Sequence, residues 1–290
     1  MAGTDPIAVT AAPTPGLARR LFSNPAGLIG TGIVLVLVAL ALFAPQIAPF
    51  APTRMGAGKP LLAPSLVHLA GTDEFGRDMF SRIVFGARFT LMVGAIAVGI
   101  SLVVGLCIGL MAAYARGWVE IVLMRLSDVL FSFTETLIAL ACVAVLGPSL
   151  QNAMIAVGIA GIPLYARTAY AAALVEAGKP YFEGSVVAGA GPLRLLLTHL
   201  LPNVLPTMIV IATLGLSSAI LAAAGLSFLG LGAQPPTPEW GAMLSAGRDF
   251  FNRAPWLMLY PGLAIAVVVL GFNLLGDGLR HVLDPKGRDR

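Results

Sequence analysis

Two acidic side chains, Asp128 and Glu135, stand seven residues apart in a stretch that is otherwise largely apolar. On one continuous helix seven residues are two turns, so both carboxylates would share a face. Ionisable groups in lipid-facing stretches are expensive, and they mark pathways or helix–helix ties. Asp128 has Arg125 three residues before it and suits a local ion pair or a tie between subunits. Glu135 could face a cavity and attract an ammonium group or another cation. As the neutral acid it could instead bond to a neighbouring helix. Asn152 and Asn273 are further polar candidates for such a pathway, each equally suited to a helix end or a helix–helix contact. Arg167 can reach an interface with its head while its stem stays in apolar surroundings. Reaction chemistry has no comparable foothold. There is no G-x-x-x-x-G-K-[ST] phosphate loop, no H-E-x-x-H and no G-x-S-x-G. His68, His199 and His281 are far apart, and Cys107 and Cys142 lie in apolar runs without a C-x-x-C pattern. No catalytic residue, no metal site and no cofactor of its own are expected of this chain.

The elements that must position these groups are built for lipid. Of 290 residues, 58% are hydrophobic and 11% charged, against about 25% charged in a soluble domain. So few charges cannot cover a water-facing surface of this size. A membrane span takes about 20 apolar residues. Six runs qualify: 26–44, 89–115, 121–146, 152–176, 204–232 and 254–276, with Gly147-Pro148-Ser149 dividing the third from the fourth. Helices are expected, because lipid offers no partner to backbone N–H and C=O groups, and the runs lack the alternation of barrel strands. The first run is too long for the apolar region of a cleaved leader, and five more follow it.

Charge supplies an orientation. The formal net charge of +4 reads as topology, not as affinity for nucleic acid. With both termini cytoplasmic, Arg19, Arg20, Arg116, Lys179, Arg194, Arg280, Lys286, Arg288 and Arg290 fall on the inner side. Residues 1–20, rich in Ala, Pro and Thr, read as a disordered cytoplasmic lead. Residues 45–88 read as an outer segment, and the amphipathic stretch 77–88 suits the membrane interface. Gly94, Gly99, Gly105 and Gly109 suit close helix approach, or reflect a Gly- and Ala-rich composition.

Several signatures stand out among these runs. They are Gly71-Thr72-Asp73-Glu74-Phe75-Gly76-Arg77-Asp78, Leu226-Ser227-Phe228-Leu229-Gly230-Leu231-Gly232, Pro235-Pro236-Thr237-Pro238-Glu239-Trp240-Gly241, Gly271-Phe272-Asn273-Leu274-Leu275-Gly276-Asp277-Gly278-Leu279-Arg280 and Leu283-Asp284-Pro285. From Phe22 to Pro285 the chain resembles the C-type membrane subunit of dipeptide and oligopeptide (peptide/nickel) ABC importers. The resemblance implies an all-α, six-helix polytopic protein of the type I importer permease fold, in a bacterial inner membrane. It divides the chain into a lead (1–20), a first helix with an outer segment (21–88), a five-helix permease core (89–279) and a cytoplasmic tail (280–290). It implies a B-type permease partner, two ATP-binding cassette domains that hold the ATP and Mg, and an extracytoplasmic peptide-binding protein.

The family's inner loop carries the pattern E-A-A, three residues, G, nine residues, I, one residue, L-P. Within 178–203, Glu183-Gly184-Ser185 takes the E-A-A positions, Gly189 the G, His199 the I, and Leu201-Pro202 the end. Tyr181 precedes the acid. Gly184 and Ser185 keep the contact face slim, and His199 departs from the pattern. Glu176-Ala177-Gly178 looks closer locally but places neither the Gly nor the Leu-Pro, so that alignment is rejected. Pro180 suits a helix start, and the short helix so formed is the expected lever on which the ATPases act. In the family an Asp, an apolar run and a Pro are common in the third run; here Thr134 stands where that Pro would be. Asp73, Arg77, Asp78, Trp240, Arg248 and Asp249 are the expected outer contacts with the binding protein; Trp240 also suits an interfacial aromatic belt. The resemblance leaves the cargo open: di- and oligopeptides first, then nickel chelates, glutathione or haem. A channel or secondary transporter would need a pore-lining ion motif or an internal repeat, and neither is visible.

Overall fold

The computed structural model describes Phe22 and residues 24–283. The expected lead at 1–20, the end of the tail and the Asp284-Pro285 signature lie outside the described residues. Nine helices carry the argument. They are α1 (Pro25–Leu42), α2 (Met79–Ala115), α3 (Gly117–Phe131), α4 (Glu135–Leu146), α5 (Leu150–Ala177), α6 (Pro180–Val187), α7 (Leu201–Phe228), α8 (Trp240–Gly247) and α9 (Trp256–Leu283). A helical turn at Pro192–Arg194 and a wider π turn at Leu195–Leu200 lead into α7. Among the described residues the β pairing is one isolated bridge, Thr72 with Asp78.

Local chemistry starts these helices where it should. Asn24 accepts from the Ala26 N–H with Pro25 at the first helical position. Asp78 accepts from the Ser81 N–H at the head of α2, and Ser149 accepts from the Asn152 N–H at the head of α5. Such caps satisfy donors that have no partner inside the helix. Five segments are long and apolar enough to cross a membrane: α1, α2, α5, Pro192–Phe228 and α9.

The third expected span differs. α3 and α4 meet at an angle of 92° across Ser132, Phe133 and Thr134, so the run 121–146 is a bent pair and counts as a sixth crossing only if taken as one. Thr134 sits at φ −64°, ψ 135°, a backbone geometry that a proline would adopt. The Ser132 hydroxyl donates to the Val129 carbonyl at 2.6 Å, competing with the helix for that acceptor. Asp128 therefore lies near the end of α3 and Glu135 opens α4. They do not share one helical face, which corrects the two-turn expectation.

Packing follows side-chain size. α2 lies along α5 more extensively than any other pair, and α9 joins α1 and α7. Gly105 and Gly109 face Tyr165, Ala166, Ala169 and Tyr170 of α5, whereas Gly99 faces open space. A Cβ on Gly30 would run into the α9 backbone at Leu274 and Leu275, and one on Gly271 into Ile33 of α1. Small residues thus set these crossings directly. Two buried clusters result. One joins α2, α4, α5 and α7 around Val157, Leu200, Val204 and Met208. The other gathers Met79, Trp240, Leu257 and Phe272.

The second cluster underlies a cap that ties 45–88 to 233–257. Asp73 accepts from the Phe75 and Arg77 N–H groups, each at 2.9 Å, and pairs with Arg77 Nε at 2.5 Å and Arg82 Nε at 3.7 Å. Arg82 also donates to the Pro52 carbonyl at 3.1 Å. Asp78 accepts from the Ser81 N–H and hydroxyl and lies 2.8 Å from His68 Nδ1. Trp240 donates to the Ile83 carbonyl at 3.0 Å, and Trp256 to that of Thr72 at 3.3 Å. The start of α2 is therefore packed inside protein; Arg82 is 5% exposed, not displayed at an interface.

Candidate functional site

At the end of the bundle away from this cap, Gly178 to Asn203 form a compact loop. Pro180 stands at the first position of α6 after an extended Lys179, as its fixed φ favours. α6 ends at Val187, and Gly189 turns the chain at φ +81°, where a side chain would be strained. Phe182 is the buried residue of the helix, while Glu183 and Gly184 face outward. A Cβ at Gly184 would meet open space. Val187 is 89% exposed, with Val186 and Leu193 also open. Apolar side chains grouped on a polar loop mark a contact surface.

His199 organises the inside of this loop. Its Nε2 lies 3.0 Å from Ser185 Oγ and its Nδ1 2.7 Å from Thr198 Oγ1. The ring stacks on Tyr181 at 6.2 Å and meets Phe182 edge-on at 6.4 Å. Ser185 stands where the pattern has alanine and His199 where it has isoleucine, and the fold pairs the two with each other. Asn203 donates to the His199 carbonyl at 2.7 Å and reaches the Tyr181 hydroxyl at 3.3 Å. Tyr181 donates to Glu176 at 2.8 Å, and Lys179 pairs with the same carboxylate. Burial, together with the Glu176 carboxylate, raises the Tyr181 hydroxyl above its usual range. Leu201 and Pro202 open α7 beside this network. The rejected Glu176 alignment thus supplies an anchor on α5, with Glu183 left free on the outer face.

The intramembrane candidates separate. Asp128 pairs with Arg167 of α5 at 3.5 Å, both side chains about half exposed. They line a groove of about 660 Å3 with Glu120, Arg125 and Tyr170, where Tyr170 donates to Glu120. Arg167 also lies 5.0 Å above the Phe131 ring. Glu135 is exposed and lines a separate cavity of about 240 Å3 with Phe131, Phe133 and Leu164. Asn152 donates to the carbonyls of Leu146 and Gly147 at 2.8 and 3.0 Å, closing the α4–α5 turn. Its amide donors are engaged at a helix end, the alternative role that its position also suited. Asn273 is exposed on α9, apart from these grooves.

Among the outer candidates, Asp73, Arg77, Asp78 and Trp240 are each less than 5% exposed. Their polar groups are occupied within the cap, so they offer no surface to an outside protein. The same burial takes Trp240 out of an aromatic belt. Arg248 and Asp249 do lie open, 3.6 Å apart. Glu239 and His68, to which the sequence assigned no role, complete the cap. Glu239 accepts from the Gly241 and Ala242 N–H groups at 3.0 and 2.8 Å. Burial pushes its carboxyl up, against the pull of those two donors. Its position before a short apolar run was the available signal. His68 could not have been placed on Asp78 by spacing alone. Among the described residues no cluster of His, Cys, Asp and Glu could hold a metal ion.

Comparison with known proteins fits this arrangement. Residues 105–289 match the family described as binding-protein-dependent transport system inner membrane component. Residues 16–64 match the N-terminal TM domain of oligopeptide transport permease C. The chain is 44% identical to the dipeptide transport system permease protein DppC of Alkalihalophilus pseudofirmus, over 92% of this chain and 88% of that one. It is also 44% identical to the di/tripeptide transport system permease protein DppC of Pseudomonas aeruginosa, over 98% and 95%. A glutathione transport system permease protein, GsiD of Escherichia coli, is 45% identical over 92% and 89%. In fold, it is similar to a chain of the MetNI methionine ABC transporter solved in inward-facing conformations, with a TM-score of 0.58 at 21% identity, covering 70% of this chain and 97% of that one. By sequence, spans and fold together, the chain belongs to the binding-protein-dependent inner-membrane components, the permease subunits of ABC importers.

Proposed function

We propose that this permease forms half of a translocation pathway for di- and tripeptides delivered by an extracytoplasmic binding protein. The observation that carries the reading is the outward-facing α6, held to α5 and α7 through Tyr181, Ser185 and His199 and presenting Glu183, Gly184 and Val187. A slim helix anchored to two long helices transmits a push as a rigid-body motion. The ATPase subunits, with their ATP and Mg, would grip this face, and a second, B-type permease would complete the pathway. Both termini are assigned to the cytoplasmic side of a bacterial inner membrane, supported by Arg116, Lys179 and Arg194 lying toward the α6 end. The cap then faces the binding protein, with Arg248 and Asp249 as its open charged contacts. The peptide assignment rests on the relatives named for dipeptide and di/tripeptide transport. Glutathione, itself a modified tripeptide, is a second reading that the similarity to the GsiD proteins favours.

The test is ATP hydrolysis by the reconstituted complex with its binding protein, with and without dipeptide, for wild type and Glu183→Lys. Stimulation by the loaded binding protein that disappears in the variant supports both cargo and coupling face. Stimulation unchanged by the variant moves the coupling face elsewhere. Absence of any response to peptides refutes the cargo.

A further inference from the structure

We propose that α3, α4 and α5 form a two-ended peptide subsite, in which Glu135 receives the ammonium terminus and Arg167 the carboxylate terminus of a di- or tripeptide. The inference rests on the peptide reading above and adds where, and by which groups, this chain would contact its cargo. Three observations carry it. The Glu135 cavity adjoins a second groove that Arg167 lines with Thr168 and Ala171, and Phe131 and Leu164 form the wall between the two. The floor between the two charges is apolar, and Arg167 lies across the Phe131 ring, which holds the guanidinium near that wall. The charges are opposite and separated along α5. Glu135 meets that helix near Ala160 and Gly161, and Arg167 stands six to seven residues further on, a rise of about 10 Å. Two to three extended residues span about 7–11 Å.

The charge balance of the groove matters. Arg167 already faces Asp128, and on that side Glu120 and Arg125 line the neighbouring groove of about 660 Å3. A guanidinium has five N–H donors, so one 3.5 Å contact to Asp128 leaves the fork open to a carboxylate. Asp128 thereby positions Arg167 and screens it from binding every passing anion. Glu135, as the opening residue of α4, lies beside that helix's positive end. The 92° bend is what aims both charges along one face of α5. A straight helix would have stacked Asp128 and Glu135 into a purely acidic stripe. A lipid chain or a helix of the partner permease could use the apolar floor, but neither requires opposite charges at its two ends.

The experiment uses the whole complex in vesicles: both permeases, the ATPases and the binding protein. Uptake of labelled Ala-Ala and receptor-stimulated ATP hydrolysis are measured for wild type, Glu135→Gln, Arg167→Gln and the charge-retaining Glu135→Asp and Arg167→Lys. Each neutralised variant is expected to lower uptake per ATP about tenfold to a hundredfold, the range for a lost hydrogen bond to a charged group. Stimulated ATP hydrolysis should persist, and the charge-retaining variants should keep most of the uptake. Neutral variants that import like wild type overturn the subsite. Loss of uptake and stimulated hydrolysis together, in the charge-retaining variants too, overturns it in favour of a purely structural role. A wild-type complex that hydrolyses ATP without importing Ala-Ala defeats the peptide reading itself and the subsite with it.

Discussion

Replacing Ser185 and His199 singly and together tests whether the two departures from the family pattern compensate each other. Ser185→Ala removes the 3.0 Å contact to His199 Nε2. Because both residues are only partly buried, water can replace some of that bond. The loss should be near the middle of the usual range, about 1 kcal/mol, or roughly a fivefold rise in local opening. His199→Ile loses that same bond, the bond to Thr198 and two ring contacts. At about 0.5–1.5 kcal/mol for each ring contact, and with the new aliphatic burial offsetting the lost hydrogen bonds, the net cost is about 2 kcal/mol, or roughly thirtyfold. The double variant Ser185→Ala/His199→Ile restores the small and aliphatic pair. Its opening should stay near that of His199→Ile, because the Ser185 hydroxyl then has only its bond to the Tyr181 carbonyl to lose. Hydrogen exchange of peptides covering 180–203 in the detergent-solubilised protein reads the opening directly. A coupling of about 1 kcal/mol is expected. If the double variant exchanges at the product of the two single effects, Ser185 and His199 act independently and the pairing argument fails.

Other consequences follow from the same geometry. Gly184→Ala has space for its Cβ and should slow exchange across α6 by about fivefold, from the roughly 1 kcal/mol difference in helix propensity. Gly189→Ala, at φ +81°, should speed it by a similar factor at a cost of about 1–2 kcal/mol; equal exchange in the two variants would contradict the turn. Asp73→Asn breaks a buried pairing with Arg77 and Arg82 and should destabilise the cap by about 3–5 kcal/mol. The exposed Asp249→Asn should stay within about 0.5 kcal/mol, both read as thermal unfolding in detergent. Glu239 has a folded-state pKa raised above the ordinary 4.5 by burial. The stability linked to this group is therefore fully present below about 4.5 and declines as pH rises through the raised value. Glu239→Gln should thus compare better with wild type at neutral pH than at pH 4; a melting difference that does not change with pH would remove burial as the cause.

The helical class, the long spans and the short helix after Pro180 were legible because each depends on residues close in sequence. Apolar runs of span length leave the backbone no other solution in lipid, and Pro180 and Gly189 punctuate α6 through their own backbone preferences. The bend in the third run escaped, since Ser132-Phe133-Thr134 contains neither Gly nor Pro. Its one trace was Thr134, at the place where the family pattern implies a proline. The backbone there keeps a proline-like geometry without the ring.

What the sequence by itself determined is the long apolar helices and the short helix that Pro180 starts, all consequences of short-range pattern and of lipid as solvent. Tertiary structure alone decided which polar groups are available. Asp73, Arg77 and Asp78 look like solvent-facing charges until the cap closes over them, with Arg82 reaching Pro236 and Trp256 reaching Thr72 across 154 and 184 residues. Arg167 meets Asp128, and Glu135 turns away from it, only because α3 and α4 part at an angle that three residues set. Burial and charge pairing are properties of surfaces brought together, and residue spacing along one chain carries no record of a neighbour supplied from so far away.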